Sequence, residues 1–207
     1  MSSDQSSKGL DEQTMAYYEA NAQRFFENTH AINMDSIYEP FLSLLPSGAH
    51  ILDTGCGSGR DSRAFLERGY EVTAMDASEA MVELASQHIG RPVLHMSFDQ
   101  VQYEEQFDGV WACASLLHAP RLGLPEVLER LGKALKEEGV MYASFKYGEE
   151  EIIRNGRLFS NYSENSFRQM LEPQPELKLV RLWKTMGLRP DSIDTGWLNV
   201  LLRKLAR

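Results

Sequence analysis

Ile51-Leu52-Asp53-Thr54-Gly55-Cys56-Gly57-Ser58-Gly59-Arg60-Asp61 is the most informative stretch of the chain. Two apolar residues lead into an acid, three glycines follow at alternate positions, and Ala64-Phe65-Leu66 then opens an amphipathic run. The pattern predicts a buried strand that breaks into a tight turn and continues as a helix. Glycine suits such a turn because it tolerates unusual backbone angles and lets a ligand approach the main chain. A loop ahead of a helix also presents unpaired amides and the positive end of the helix dipole, so it attracts anions. The spacing narrows the ligand. The dinucleotide pattern Gly-x-Gly-x-x-Gly would need its last glycine where Arg60 stands, and no Gly-x4-Gly-Lys-Ser/Thr phosphate loop is present. Asp53 would repel a pyrophosphate but could accept from an ammonium. A ligand with both an amino group and a carboxylate fits best.

A second strand, Glu71-Val72-Thr73-Ala74-Met75, ends in Asp76. An acid about 20 residues past the glycines, at a strand end, is placed to accept from both hydroxyls of a ribose. An amino-acid tail joined to a ribose describes S-adenosylmethionine. Ile51 to Asp61, Val72 to Met81 and Phe107 to His118 together resemble the class I S-adenosylmethionine-dependent methyltransferases. Gly59-Arg60-Asp61-Ser62 and Trp111-Ala112-Cys113-Ala114-Ser115-Leu116-Leu117-His118 resemble the small bacterial members related to tellurite-resistance methyltransferases. The resemblance runs from about residue 15 to 205. It implies methyl transfer, with S-adenosylhomocysteine as product, and N-terminal helices lying over the cofactor and part of the acceptor pocket; at about 200 residues with no added domain, a small-molecule acceptor is expected. It also implies an acid just past the third strand that reads adenine. That place falls near Met96-Ser97-Phe98, and Asp99 comes slightly late, so Phe98 packing on the ring, or Ser97 or a main-chain group bonding its edge, stand as alternatives.

The bulk properties fit this class. The chain has 207 residues, 43% hydrophobic and 25% charged, enough for one domain with a sizeable core. The net charge of -9, without a stripe of Lys and Arg, argues against nucleic acid as the main partner. No apolar run is long enough to span a membrane, and no secretory leader is recognised, so a cytoplasmic protein is expected, as monomer or homodimer. Cys56 and Cys113 are too few for a disulfide framework, and neither has a metal-type partner at short spacing; no metal is expected.

In chain order, residues 1–10 are Ser-rich and expected to be a disordered tail, with a single domain over 11–207. Helices are predicted over 11–27, 36–45, 60–68, 78–89, 124–135 and 163–171. Strands are predicted over 49–53, 71–75, 93–95, 109–112, 140–145, 177–183 and 197–202, with Glu137-Glu138-Gly139 as a turn and 146–162 as a long polar connection. Alternating strands and helices give a doubly wound, mostly parallel seven-stranded α/β sheet, Rossmann-like, with covering helices at the N-terminal end. Ligands of such sheets lie beyond the C-terminal strand ends.

Asp53, Gly55, Cys56, Gly57, Gly59, Asp76, Ala77, Ser97, Phe98 and Cys113 are therefore the candidate cofactor-binding residues. Asp53 has the alternatives of a water-mediated contact or of capping its own loop. Tyr17, Tyr18, Arg60, His118, Lys146 and Tyr147 are candidates for the acceptor pocket, and Arg154, Arg157 and Tyr162 follow on the polar connection. Tyr17 and Tyr18 could instead pack α-helix to sheet. Arg60 and Asp61 could form surface pairs, or Arg60 could approach the cofactor carboxylate or an anionic acceptor. His118 titrates near neutrality and could take a proton, or be a packing residue; with Lys146 and Tyr18 it is a candidate for catalysis. A nucleophilic Cys113 would need a depressed pKa. Trp183 and Trp197 are expected at the sheet edge. Methyl transfer from a sulfonium demands alignment more than acid–base machinery, consistent with the lack of any triad. A non-catalytic cofactor-binding subunit and a nucleotide-dependent reductase are the competing readings.

Overall fold

The computed structural model describes residues 3–187 and 196–206, with side chains from residue 12 onward. Its elements are α1 (Ser3–Thr29), α2 (Asp35–Leu42), β1 (His50–Thr54), α3 (Arg60–Glu67), β2 (Glu71–Asp76), α4 (Glu79–Ile89), β3 (Leu94–His95), β4 (Phe107–Ala112), α5 (Leu124–Ala134), β5 (Leu135–Lys146), β6 (Glu151–Arg154), β7 (Arg157–Ser160), α6 (Glu164–Leu171), β8 (Leu177–Thr185) and β9 (Trp197–Lys204). Seven strands form one sheet in the order β3-β2-β1-β4-β5-β9-β8. Pairings from β3 through β5 are parallel, while β9 is antiparallel to both β5 and β8. The expected mostly parallel, doubly wound sheet is the one observed.

Both faces of the sheet are buried, and neighbouring residues divide between them. Leu52, Val110 and Met141 enter one apolar cluster with Leu128 and Leu131 of α5 and Phe167 of α6. Ile51, Trp111 and Tyr142 enter another with Phe41 of α2 and Phe65 of α3. Adjacent residues of a strand point to opposite faces, so continuous apolar runs are what a doubly covered sheet requires. The strand order reverses between β1 and β4, and the loops after these two strands open a crevice there.

Local signals explain several boundaries. Ser78 caps α4 by accepting from Met81 N at 3.2 Å, and Gly90 ends that helix in the left-handed conformation. α1 begins at Ser3, inside the segment expected to be a tail; residues 1 and 2 lie outside the described residues. Two expectations need correction. Glu137-Glu138-Gly139 does not separate α5 from a later strand. It lies inside β5, where Glu138 has φ +62° and the register against β4 shifts between Phe107 and Gly109. The extra residues are taken up as an irregularity of the strand. The polar connection is not structureless either. Strands β6 and β7 pair as a hairpin around Asn155-Gly156, both with positive φ. Asn-Gly is the favoured pair for a two-residue hairpin turn, because its twist matches that of the strands.

Candidate functional site

The carboxyl ends of the parallel strands open into a cleft of about 1950 Å³. Its floor is the glycine loop and the ends of β2, β4 and β5, and its roof is α1 with the β6–β7 hairpin. Of the residues singled out from the sequence, Gly55, Cys56, Gly57, Asp76, Ala77, Ser97, Phe98, Cys113, Arg60, Tyr18, His118, Lys146 and Tyr147 all line it. Asp53, Gly59 and Tyr17 do not.

The glycine loop is shaped by its packing. Gly55 has φ +71°, and a Cβ there would come within 2.6 Å of the Ser115 Cβ. Gly59 has φ +72° and caps α3, and a Cβ would lie 2.8 Å from Ile89 of α4. Gly59 is thus constrained by helix packing. The loop amides are also largely committed. Gly55 N and Cys56 N donate to Met75 O at 2.8 and 2.9 Å, and Gly57 N donates to Asp76 Oδ2 at 2.8 Å. These three amides fasten β1 to β2. Asp76 takes a further bond from Ser78 N at 3.0 Å. Burial pushes its carboxyl above the usual range, against these backbone donors.

Asp53 is 2% exposed and lies beneath the loop, where Ser62 Oγ donates to it at 2.5 Å. In this position Asp53 is bonded to a side chain of α3 and does not line the cleft. Burial, and then the neighbouring Asp61 charge, push its pKa up to about 8. Asp61 is the charged member of the two. Burial opposes its ionisation, but Arg60 outweighs that with hydrogen bonds at 2.6 Å from Nε and 3.0 Å from Nη2, aided by Tyr38 OH at 2.6 Å and Trp111 Nε1 at 2.8 Å. Its pKa is held below the usual carboxylate range. The Arg60–Asp61 pair is thus no surface pair; the two side chains are 18% and 8% exposed. Arg60 Nη2 also lies 3.9 Å from Cys113 Sγ, at the cleft wall. The Cys113 thiol is pushed up to about 12 by burial and the Asp61 charge, which removes the nucleophilic reading.

Tyr18 and His118 meet across the roof. Tyr18 Oη and His118 Nε2 are 2.8 Å apart, and His118 Nδ1 is 2.6 Å from Leu158 O. A carbonyl only accepts, so Nδ1 carries the proton, and Nε2 accepts from the Tyr18 hydroxyl. Burial lowers the His118 pKa to about 4, so the ring is neutral. Tyr17 lies behind this pair, edge-on to Tyr18, with the Arg157 guanidinium carbon 4.2 Å above its ring. Lys146 sits 3.9 Å over the Trp197 ring, and Tyr147 OH donates to Glu164 at 3.0 Å. Trp197 lines the cleft, whereas Trp183 packs toward Tyr142 as expected. Tyr162 is a core residue between Phe145 and Phe167.

Tyr38, Trp111, Tyr142, Ser115 and Asn199 shape the site without having been picked out from the sequence. Trp111 stacks on Tyr142 with centroids 4.0 Å apart, and Tyr142 OH donates to Asn199 at 2.6 Å. Ser115 Oγ is buried against the loop with no hydrogen-bond partner. Among the described residues, no group of three or more His, Cys, Asp or Glu could hold a metal, and no helix is long and apolar enough to cross a membrane.

The fold is that of the S-adenosylmethionine-dependent methyltransferases. Residues 51–139 match the family model for a methyltransferase domain. The chain is 33% identical over 116 residues to a putative methyltransferase, YqeM, of Bacillus subtilis, covering 51% of this chain and 47% of that one. It is 32% identical over 126 residues to a ubiquinone biosynthesis O-methyltransferase of Stutzerimonas stutzeri, covering 54% of this chain and 53% of that one. The chain thus spans about half the length of the curated relatives it matches. In three dimensions it is similar to a 1,6-didemethyltoxoflavin-N1-methyltransferase of Burkholderia thailandensis, solved with bound 1,6-didemethyltoxoflavin and S-adenosylhomocysteine. The TM-score is 0.78 at 21% identity, over 97% of this chain and 91% of that one.

Asp61→Ala should lower unfolding free energy by about 3–5 kcal/mol, because it strands a buried guanidinium; equilibrium urea unfolding measures this, and a loss near zero would show the knot to be dispensable. Asp53→Asn carries a different signature. The wild-type carboxyl keeps its proton when folded up to about pH 8 but loses it when unfolded near pH 4, so wild-type stability falls as pH rises through that window. The variant has no such proton to lose, and its stability relative to wild type should rise across the window.

Proposed function

We propose that the chain is an S-adenosylmethionine-dependent methyltransferase acting on a small-molecule acceptor. The observation that carries the reading is the set of side chains converging beside the glycine loop: Asp76, Arg60 and the orphaned Ser115 hydroxyl. A buried hydroxyl without a partner is costly, and a ligand atom in the cleft would satisfy it. The donor set also fits the cofactor. Asp76 keeps lone pairs for the ribose hydroxyls beyond its two backbone bonds. Arg60 is held by Asp61 through Nε and Nη2, leaving Nη1 for the cofactor carboxylate. Ala77, Met96, Ser97, Phe98 and Leu117 line the stretch of wall suited to the adenine ring, and Cys56, Gly57 and Cys113 flank the amino-acid end. Asp99, which had looked one step too late, also lines the cleft and accepts from Ser97 Oγ at 2.5 Å. It joins Ser97 as a candidate for the adenine edge.

When bound, the sulfonium supplies an activated methyl group. The chain's own task is then orientation, exclusion of water and disposal of one proton. α1 and the hairpin cover the cleft from above, which keeps bulk water from the reacting atoms. The Tyr18–His118 pair is placed to handle the proton. As the acceptor's nucleophilic atom gains the methyl, its proton passes to Tyr18 Oη, and the Tyr18 proton moves to His118 Nε2. The Leu158 carbonyl holds the other ring nitrogen as a donor throughout. A low imidazole pKa suits this role only if the acceptor's proton becomes strongly acidic on methylation, which is the case for an oxygen or nitrogen that acquires positive charge.

Calorimetry with S-adenosylhomocysteine should give a single site, and Asp76→Ala should weaken it by about 1.5–3 kcal/mol, the worth of bonds to a charged group. Unchanged affinity would remove Asp76 from the cofactor site. Formation of S-adenosylhomocysteine with a metabolite extract separates an enzyme from a binding subunit, since only the first turns over. In that assay Tyr18→Phe should lower kcat at least about 100-fold with little change in KM, if its hydroxyl carries the proton; full activity would assign Tyr18 to packing.

A further inference from the structure

Arg157 lines the cleft beside the Tyr18–His118 pair. It sits on β7 directly after the Asn155-Gly156 turn, and its guanidinium faces three rings: Tyr17 at 4.2 Å, Phe159 at 5.1 Å and Tyr18 at 5.9 Å. Its Nε is buried without a hydrogen-bond partner, and no ion pair joins it to a carboxylate among the described residues. By contrast, Arg60 is locked to Asp61, and Arg130 is paired with Glu126. A partly buried guanidinium is well suited to a carboxylate or phosphate, because its planar fork matches their geometry. Aromatic faces hold the cation in place but do not neutralise it.

The rings around it form one wall. Tyr18 packs edge-on to Phe25 at 5.3 Å and to His118 at 5.5 Å, and His118 packs on Phe159 at 5.1 Å. All four line the cleft, and Phe25 reaches the glycine loop, where a Cβ on Gly57 would lie 3.2 Å from it. The wall therefore runs from the cation to the floor on which the cofactor is placed. A flat ring can lie along such a wall, since offset and edge-on contacts are the favoured aromatic geometries.

We propose that the acceptor is a small planar anion: its negative group pairs with Arg157, its ring lies along the Tyr18, Phe25 and Phe159 wall, and its protic atom faces Tyr18. This rests on the methyltransferase reading above. The geometry gives the acceptor three fixed points, which is enough to orient a rigid molecule and to present one atom toward the cofactor. Arg154 and Arg157 are the paired residues flanking the turn, and both line the cleft.

Binding decides the proposal without turnover. Protein saturated with S-adenosylhomocysteine is titrated with benzoate, indole carboxylate and quinoline carboxylate, each paired with its primary amide. At least one carboxylate should bind about tenfold or more tighter than its amide, the discrimination expected from a charge-assisted bidentate pair. Arg157→Gln should abolish that preference while leaving S-adenosylhomocysteine affinity unchanged, and Arg157→Lys should restore part of it. Equal binding of acid and amide, a preference that survives Arg157→Gln, or no carboxylate binding to cofactor-loaded protein would each overturn the proposal. Should Arg157→Gln not fold, the acid–amide comparison in the wild type still supports or overturns the anionic acceptor by itself. Loss of S-adenosylhomocysteine binding in the wild type would instead sink the methyltransferase reading.

Discussion

The cleft depends on one buried charge. Asp61 accepts from Arg60, Tyr38 and Trp111, and so joins the start of α3 to α2 and to β4. Trp111 in turn stacks on Tyr142 of β5, which bonds Asn199 of β9. A single carboxylate thus fixes elements on one face of the sheet and the orientation of an arginine at the cleft. Burying such a charge is unfavourable unless every lone pair is met, and here donors from three elements meet it. Burial first, and then the same charge, make a second ionised acid beneath the loop unfavourable, and Asp53 holds its proton. Two carboxyls with opposite protonation states under one loop is the expected outcome when like charges share a low-dielectric site.

That arrangement changes how the glycine loop works. Its first amides are spent on Met75 and Asp76, so the loop is a strap between β1 and β2 more than an anion nest. The polarity of the cleft then comes from side chains anchored below: Asp76 held by two amides, Arg60 held by Asp61, and Ser115 pressed against Gly55. Each is positioned by a bond or contact that a ligand does not replace. Preorganisation of this kind lowers the ordering cost of binding, because few rotamers remain to be fixed.

The sequence makes the floor legible and the roof much less so. Ile51 to Asp61 and Asp76 could be read because strand, turn and helix are local, and because their spacing has one common chemical meaning. The Asp61 knot could not, since its partners Tyr38 and Trp111 stand 23 and 50 residues away. Nothing local tells a buried helix-start Asp from the exposed one that the dipole also favours. Gly59 is similar: its need for positive φ is local, but the Ile89 contact that constrains it belongs to another helix. The hairpin is a different case. Asn155-Gly156 between Ile152-Ile153 and Leu158-Phe159 is a strong turn signal, and it was masked by the polar residues around it.

The roof obeys other constraints than the floor. Along its described length α1 buries only Thr14, Ala22 and Thr29, and it meets the hairpin through polar contacts such as Leu158 N to Thr14 Oγ1 at 3.0 Å. The hairpin contributes few residues to the core, with Leu158 and Ser160 its buried members. Substitutions there remove little buried apolar area, so they cost little stability by the usual area argument. Substitutions in the floor break the Asp61 knot or the strap between β1 and β2. The physical consequence is a division of labour: the half that would hold a shared cofactor is tied to folding, while the half that would choose an acceptor can vary without unfolding the sheet. A short sequence motif is therefore informative about the first half and nearly silent about the second, since the acceptor half is written in contacts between α1 and a hairpin 144 residues further along the chain.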